Sequence, residues 1–463
     1  MTGQRSAVAR ASGPVTGGKG WPFGSPLNVA KYGCVLEEFL IEGVAQSYEP
    51  ALGTTSGLDG KWSVRSADTA EYRTRMYVVR PSDPARFNGV VVVNWQNVTA
   101  GVDLGAPSPH EMRNGYAWVG VTTQRVAIEG QPSLTPGMAD TKGLPTADPG
   151  RYGSLRHPGD RYSYDIFTQA ARAVGPDRPA TEADPLSGLA PRLVLATGGS
   201  QSAMRLGSYL NLVDDQEHFF FDGFLLTGHW GMCPYPPDQP LQRSFRPLDG
   251  GLYAGSSAIN DRGRVPILVL NSESETLHNL PVRQPDSPTY RFWEMAGTAH
   301  ASSEIAGELN EILARDGVGT FLQRGVVNTL DWSWVRNAAL EHLVRWAKGG
   351  EAPPLFPPVD ASLAGGIHAD DAGNATGGIR LPDLEVPTAR HSGTNDMNPL
   401  AALSGQSIPF TPEQIDARYQ SAEAYLRQRD AAVDRVRDQG LVLNADLETL
   451  RQRGRQTAAE LWP

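Results

Sequence analysis

Two serines, Ser200 and Ser202, stand where an apolar run ends in two glycines and a helical pattern begins, in "RLVLATGGSQSAMRLGSYL" (Arg192–Leu210). A serine hydroxyl is a weak nucleophile at neutral pH. It needs a base, and the base needs a carboxylate that orients it and stabilises its cation. A tight strand-to-helix turn lifts such a hydroxyl above the sheet, with the helix N-terminus beneath it, provided small residues stand two places before and after. Gly198, Ser200 and Ser202 meet that spacing. With Ser202 as nucleophile, Met204 would fall where a small residue is required, so Ser200 is the stronger candidate.

The acid and base should follow the serine in chain order, each at the end of a later strand. "VPILVLNSESETL" offers Glu273 and Glu275; Glu273 is nearer the strand end, and Glu275 is the choice because it lies on the loop. "RFWEMAGTAHASS" supplies His300 in a loop of small residues, with His278 as the rival base. The oxyanion of an acyl intermediate needs two N–H donors. Gln201, after the serine, supplies one, and the loop in "VVVVNWQNVTAGVD" supplies the other, at Gln96 or Asn97.

The elements that must position these residues are legible as periodicities. Cys34–Pro50 and Glu71–Pro81 alternate as antiparallel strands with one wet face do. Gly89–Trp95, Tyr116–Gln124, Arg192–Gly198, Phe219–Gly228, Val265–Glu273 and Thr289–Gly297 are nearly continuous apolar runs, as parallel strands covered on both faces require. Helical patterns follow at Arg161–Gly175, Ser202–Val213 and Asp331–Gly350. The expectation is α/β: a doubly wound, mostly parallel sheet with antiparallel N-terminal strands. Residues 1–26 are expected as a flexible leader and 27–350 as the main domain. Residues 351–463 are expected as a C-terminal helical extension packed on it. Two Gly- and Pro-rich insertions, 128–160 and 229–264, follow strand ends and are expected to form a cap. Trp230 and Tyr235 are its candidate pocket residues, with a small core of the insertion's own as the alternative.

Composition excludes several classes. The 463 residues carry a net charge of -10 with basic residues scattered, which argues against nucleic acid and anionic lipid as partners. Two cysteines make no disulfide framework, and His229 with Cys233 has no second ligand pair, so no metal is expected. No G-x-G-x-x-G occurs, and no cofactor is expected. The N-terminal stretch lacks a signal-peptide core and no run is long and apolar enough to span a bilayer, so the expected location is cytoplasmic.

With these residues in place the chain resembles the α/β-hydrolase superfamily, and more closely a sparsely characterised hydrolase-domain family with a G-x-S-Q-S elbow. The resemblance rests on "YRTRMYVVRPSDPARFNGVVVVNWQNVTAGVD", "GYAWVGVTTQ", "GGSQSAMRL" and "GGIRLPDLEVP", and spans Tyr32 to the C-terminus. It implies an α/β-hydrolase fold and marks Ser200, Glu275 and His300 as catalytic; Ala203 stands where the family usually has glycine. The expected function is a serine hydrolase acting on a small-molecule ester, lactone or related acyl bond. An acyltransferase with the same triad and a non-catalytic small-molecule binder are the alternatives. Oligomeric state is not legible.

Overall fold

A computed structural model describes residues 7–19, 28–53, 57–132, 140–180, 183–213, 220–261, 263–315, 327–395 and 401–463. The chain forms two compact units, 1–267 with 282–284 and 308–321, and 268–281 with 285–307 and 322–463. One boundary between the two falls after Ile267. The tail shares a unit with the loops that carry Glu275 and His300.

The first unit is built on strands β1 (Arg10–Ser12), β2 (Cys34–Pro50), β3 (Val64–Pro81), β4 (Val90–Trp95), β5 (Ala117–Val121), β6 (Leu193–Gly199) and β7 (Gly223–Thr227). Their order is β1-β2-β3-β5-β4-β6-β7. β1–β2, β2–β3 and β3–β5 pair antiparallel, whereas β5–β4, β4–β6 and β6–β7 pair parallel. The uninterrupted valines of β4 are buried, which is the burial expected for strands covered on both faces. β3 starts at Val64, earlier than its alternation suggests, because residues 64–70 pair with Ala45–Pro50 as a ribbon.

One expectation is corrected here. Arg10–Ser12, in the stretch read as a loose leader, pairs with Leu40–Glu42, and Arg10 makes an ion pair with Glu42. Backbone pairing to an existing edge, which the local composition does not reveal, orders this segment. Residues 1–6 and 20–26 of that stretch lie outside the described residues.

Helices α1 (Ser163–Ala173) and α2 (Gln201–Leu212) pack aromatic rings against the sheet. Trp95 at the end of β4 meets Tyr164 and Phe167, and Phe167 meets Tyr209 and Phe221. Insertion 128–160, of which 133–139 lie outside the described residues, buries Leu144, Tyr152 and Leu155 with Leu40, Ala100, Val102 and Leu104. Beside that cluster lies a dry ionic group. Arg75 donates to Asp103 (2.7 Å) and Glu38 (3.3 Å), and Arg151 and the Tyr152 hydroxyl donate to Glu38 at 2.6 and 2.7 Å. Two cations balance two carboxylates. Burial alone would lower the Arg75 pKa, but Asp103 and Glu38 override it and hold the guanidinium charged. Such a group contributes little net stability, yet removing one member leaves an uncompensated buried charge at a cost of about 3–5 kcal/mol.

The second unit contains β8 (Ile267–Ser272, from Leu268 on in this unit) and its neighbour β9 (Tyr290–Met295), followed by α3 (Ser333–Ala347). Gly349, at φ 82°, ends α3 where the glycine pair predicts a stop. In the tail, β10 (Ala389–Ser392) pairs antiparallel with β11 (Gln406–Pro409). Helices α4 (Pro412–Tyr419), α5 (Ala422–Asp438) and α6 (Leu447–Leu461) follow. α4 and α5 are separate helices because Gln420 adopts φ 65° and the Ser421 hydroxyl caps α5 by accepting the Ala424 N–H. Among the described residues, no helix is long and apolar enough to cross a membrane.

Two buried histidines give this fold a pH dependence. His229 accepts the Gly231 N–H at Nδ1 (3.2 Å), and burial pushes its pKa down to about 4. His391 meets the Ser407 hydroxyl at 2.8 Å; its pKa is also lowered to about 4 by burial, with Asp383 opposing. In the unfolded chain a histidine titrates near 6.5, so between about pH 6.5 and 4 the unfolded state binds more protons and stability falls as the pH is lowered. The thermal midpoint should drop steadily across that window. His229→Gln and His391→Gln should each flatten the slope, and an unaltered slope in both would contradict the assignment.

Candidate active site

In the first unit, β6 hands over to α2 at Ser200, whose backbone lies at φ 59°, ψ -121°. A non-glycine residue there carries a strain of about 1–3 kcal/mol and persists only where its surroundings fix it. They do so on both sides. Ser200 N–H donates to the Thr227 carbonyl on β7 at 2.8 Å, and the Ser200 carbonyl accepts from Met204 at 3.1 Å. Ser200 is half-buried, whereas Ser202 is fully buried, with no hydrogen-bond partner for its hydroxyl. Of the two serines, Ser200 is therefore the one with solvent access.

Small neighbours are a steric requirement of this turn. A Cβ on Gly198 would stand 2.9 Å from the Ser202 Cβ and 3.0 Å from Leu206 Cδ1. Ala203, where a glycine is usual in the similar family, is fully buried and accommodated.

The loop after β4 is tied to this turn. Asn97 Nδ2 donates to the Gly199 carbonyl at 3.0 Å, and Asn97 Oδ1 accepts the Thr99 N–H at 2.8 Å. The expected oxyanion donors need correction. Gln96 N–H donates to Val121 (3.3 Å) and Asn97 N–H to Leu104 (2.9 Å), so strand pairing and a local bridge have already engaged both. The Gln96 side chain is also held, with Oε1 2.7 Å from the Tyr77 hydroxyl and Nε2 donating to Asn94 Oδ1 at 2.9 Å. The next N–H, that of Val98, donates to Gln201 Oε1 at 3.3 Å. It is thus aimed at the residue after Ser200. Gln201 itself opens α2, where backbone N–H groups have no intrahelical acceptor.

In the second unit, Glu275 Oε1 is hydrogen-bonded to His300 Nδ1. Glu275 Oε2 accepts from both the backbone N–H and the hydroxyl of Ser272, each at 2.8 Å. The carboxylate is fully buried, and the imidazole side chain is 11% exposed. With Nδ1 on the carboxylate, the proton-accepting nitrogen of the neutral ring is Nε2. Glu273, the rival acid, is held otherwise: its oxygens accept the N–H groups of Gly297 and Gly393, and burial raises its pKa against those bonds. His278, the rival base, is half-buried, with its pKa lowered by burial and raised less by Glu275.

Both candidate pocket rings have aromatic neighbours. Trp230 lies against Phe245 at 6.0 Å, and Tyr235 against Trp62 at 4.6 Å. His229 and Cys233 are buried, 3.9 Å apart. Among the described residues, no group of three or more ligands that could hold a metal ion occurs. Sequence reasoning passed over three positions: Val98, Ser274 and Gly393. Their hydrogen-bond partners lie far along the chain, so no local pattern could have marked them.

The chain belongs to the alpha/beta hydrolase domain family, whose model matches residues 11–452. The fold is accordingly that of an α/β hydrolase. No curated protein matches the chain. Among solved structures it is similar to a ferulic acid esterase from Streptomyces cinnamoneus, at 12% identity over 56% of this chain and 75% of that one, TM-score 0.27. It is also similar to a hyperthermophilic esterase from the archaeon Pyrobaculum calidifontis, at 14% identity over 54% and 76%, TM-score 0.24. A third is esterase B from Lactobacillus rhamnosis, at 12% identity over 55% and 74%, TM-score 0.26.

The turn geometry makes a direct prediction. Gly198→Ala should destabilise the protein by about 1–3 kcal/mol, the usual cost of overpacking. Denaturant unfolding of the two proteins measures it, and superimposable curves would show that the turn has room to spare.

Proposed function

We propose that the protein is a serine hydrolase that cleaves a carboxylic ester, lactone or related acyl bond, with Ser200 as nucleophile, His300 as base and Glu275 as its orienting acid. The observation that carries this reading is the backbone of Ser200, held at φ 59° between strand and helix with its residue half-buried. A strained strand-to-helix turn of this kind is what the nucleophile elbow of α/β hydrolases requires, which supports the reading. The hydrogen bond between Glu275 and His300 supports the other half, and the chain order serine, acid, histidine agrees with it.

In this mechanism Ser200 Oγ attacks the acyl carbon while its proton passes to Nε2 of His300. The N–H groups of Gln201 and Val98 receive the negative charge on the carbonyl oxygen, Val98 exchanging its bond to the Gln201 side chain for one to substrate. Collapse of the tetrahedral intermediate expels the alcohol, which takes the proton from the imidazolium, and leaves an acyl ester on Ser200. Water, deprotonated by His300, then attacks that ester. The carboxylic acid leaves, and Ser200 regains its proton. Glu275 holds Nδ1–H throughout, which leaves Nε2 to exchange the proton.

A fluorophosphonate probe should label the wild-type protein and fail on Ser200→Ala. Labelling that survives there and disappears in Ser202→Ala would reassign the nucleophile. With p-nitrophenyl esters, Ser200→Ala and His300→Ala should each lose roughly 10⁴-fold or more in rate, and His278→Ala far less. Turnover that requires an added alcohol or amine would make the protein an acyltransferase, and ligand binding without any labelling would make it a binder.

A further inference from the structure

The tail reaches the loops that carry the acid and the histidine, and one of its contacts there is made by a glycine. Gly393 follows β10. Its N–H donates to Glu273 Oε1 at 2.8 Å, and its carbonyl accepts the hydroxyl of Ser274. That same hydroxyl accepts the backbone N–H of His300 at 2.8 Å. A Cβ on Gly393 would fall 2.6 Å from Ser274 N, 2.7 Å from the Thr298 carbonyl oxygen and 2.8 Å from Glu273 Cβ. Two of those three atoms are backbone and cannot swing aside.

The bonds form a closed frame around His300. Glu273 N–H donates to the Thr298 carbonyl at 3.1 Å, while the Glu273 carboxylate takes the N–H groups of Gly297 and Gly393. Ser274 and Glu273 are fully engaged in this frame, and both are buried. Asn328 Nδ2 completes it, donating to the Gly297 carbonyl at 2.7 Å and to the Ser392 carbonyl at 3.0 Å. The imidazole is aimed by Glu275, but the backbone that bears it is fixed by Ser274, and Ser274 is fixed by the tail.

We propose that the segment 390–395 is a working part of the active site, with Ser274 a positioning residue that sets the His300 backbone and Gly393 the glycine that lets the tail reach it. This rests on His300 being the base. The hydroxyl both donates and accepts, so the His300 N–H keeps an acceptor of fixed direction. An alanine at 274 would leave that N–H and the Gly393 carbonyl without their partner and free the loop by fractions of an ångström. A misplacement on the order of 1 Å costs about a hundredfold in rate.

The test uses the full chain carrying Ser274→Ala, Ser274→Thr or Gly393→Ala, with p-nitrophenyl butyrate as substrate. Ser274→Ala and Gly393→Ala should lower kcat about ten- to a hundredfold with KM unchanged, and the acidic limb of the kcat/KM profile should move. Ser274→Thr, which keeps the hydroxyl, should recover most of the loss. Proton NMR of the chain labelled with [15N]histidine gives a second readout independent of turnover. The His300 Nδ1–H resonance should shift or broaden in the alanine variants and stay near its wild-type position in Ser274→Thr. Wild-type kcat with an unmoved resonance in Ser274→Ala would overturn the proposal. If Ser274→Ala does not fold, Gly393→Ala decides by the same two measurements. Failure of the fluorophosphonate to label wild type would instead sink the hydrolase reading, while the resonance would still report on the positioning.

Discussion

A serine kept at positive φ is the constraint on which the arrangement in the first unit turns. Left alone, Ser200 would relax into an ordinary extended or helical conformation, and its hydroxyl would turn away. It is held because β6 is locked between β4 and β7, because its N–H is taken by Thr227, and because its carbonyl begins the hydrogen bonding of α2. The strain of about 1–3 kcal/mol is small beside the burial of an interior strand, so the sheet wins. A glycine would remove the strain, but it has no hydroxyl to present.

The second unit meets the matching problem with different means. An imidazole needs one nitrogen occupied and the other directed outward, which a single carboxylate can achieve only if the carboxylate itself cannot turn. Glu275 is fixed by Ser272 through two bonds to one oxygen, so the other oxygen has one direction left for His300. The neighbouring acid, Glu273, is chemically similar and two residues away, yet its backbone N–H partners make it a brace between loops. Identical side chains thus take unlike roles because different donors reach them first.

Much of this was legible in the sequence, and the limits have physical causes. Continuous apolar runs identified the buried parallel strands, because burial on both faces leaves no room for polar alternation. The small residues around Ser200 identified the turn because steric exclusion acts locally. Gln96 and Asn97 were reasonable oxyanion donors by position, but which N–H of a loop remains available depends on what Val121 and Leu104 accept, and those partners are far along the chain. The N-terminal strand was missed for a similar reason: Arg10–Ser12 has no pattern of its own and is ordered by the edge of β2. The tail's part in the second unit was invisible, since nothing around Gly393 distinguishes it from the many glycines of surface turns.

The bond between Gly393 and Glu273 spans 120 residues of sequence. Contacts of such separation form late, because a long loop must close before they give anything back. During synthesis from the N-terminus, the first unit's strands through β7 are available well before the frame around His300 can close. A nascent chain can therefore form the turn at Ser200 early, whereas the frame around His300 closes only after residue 393 has emerged.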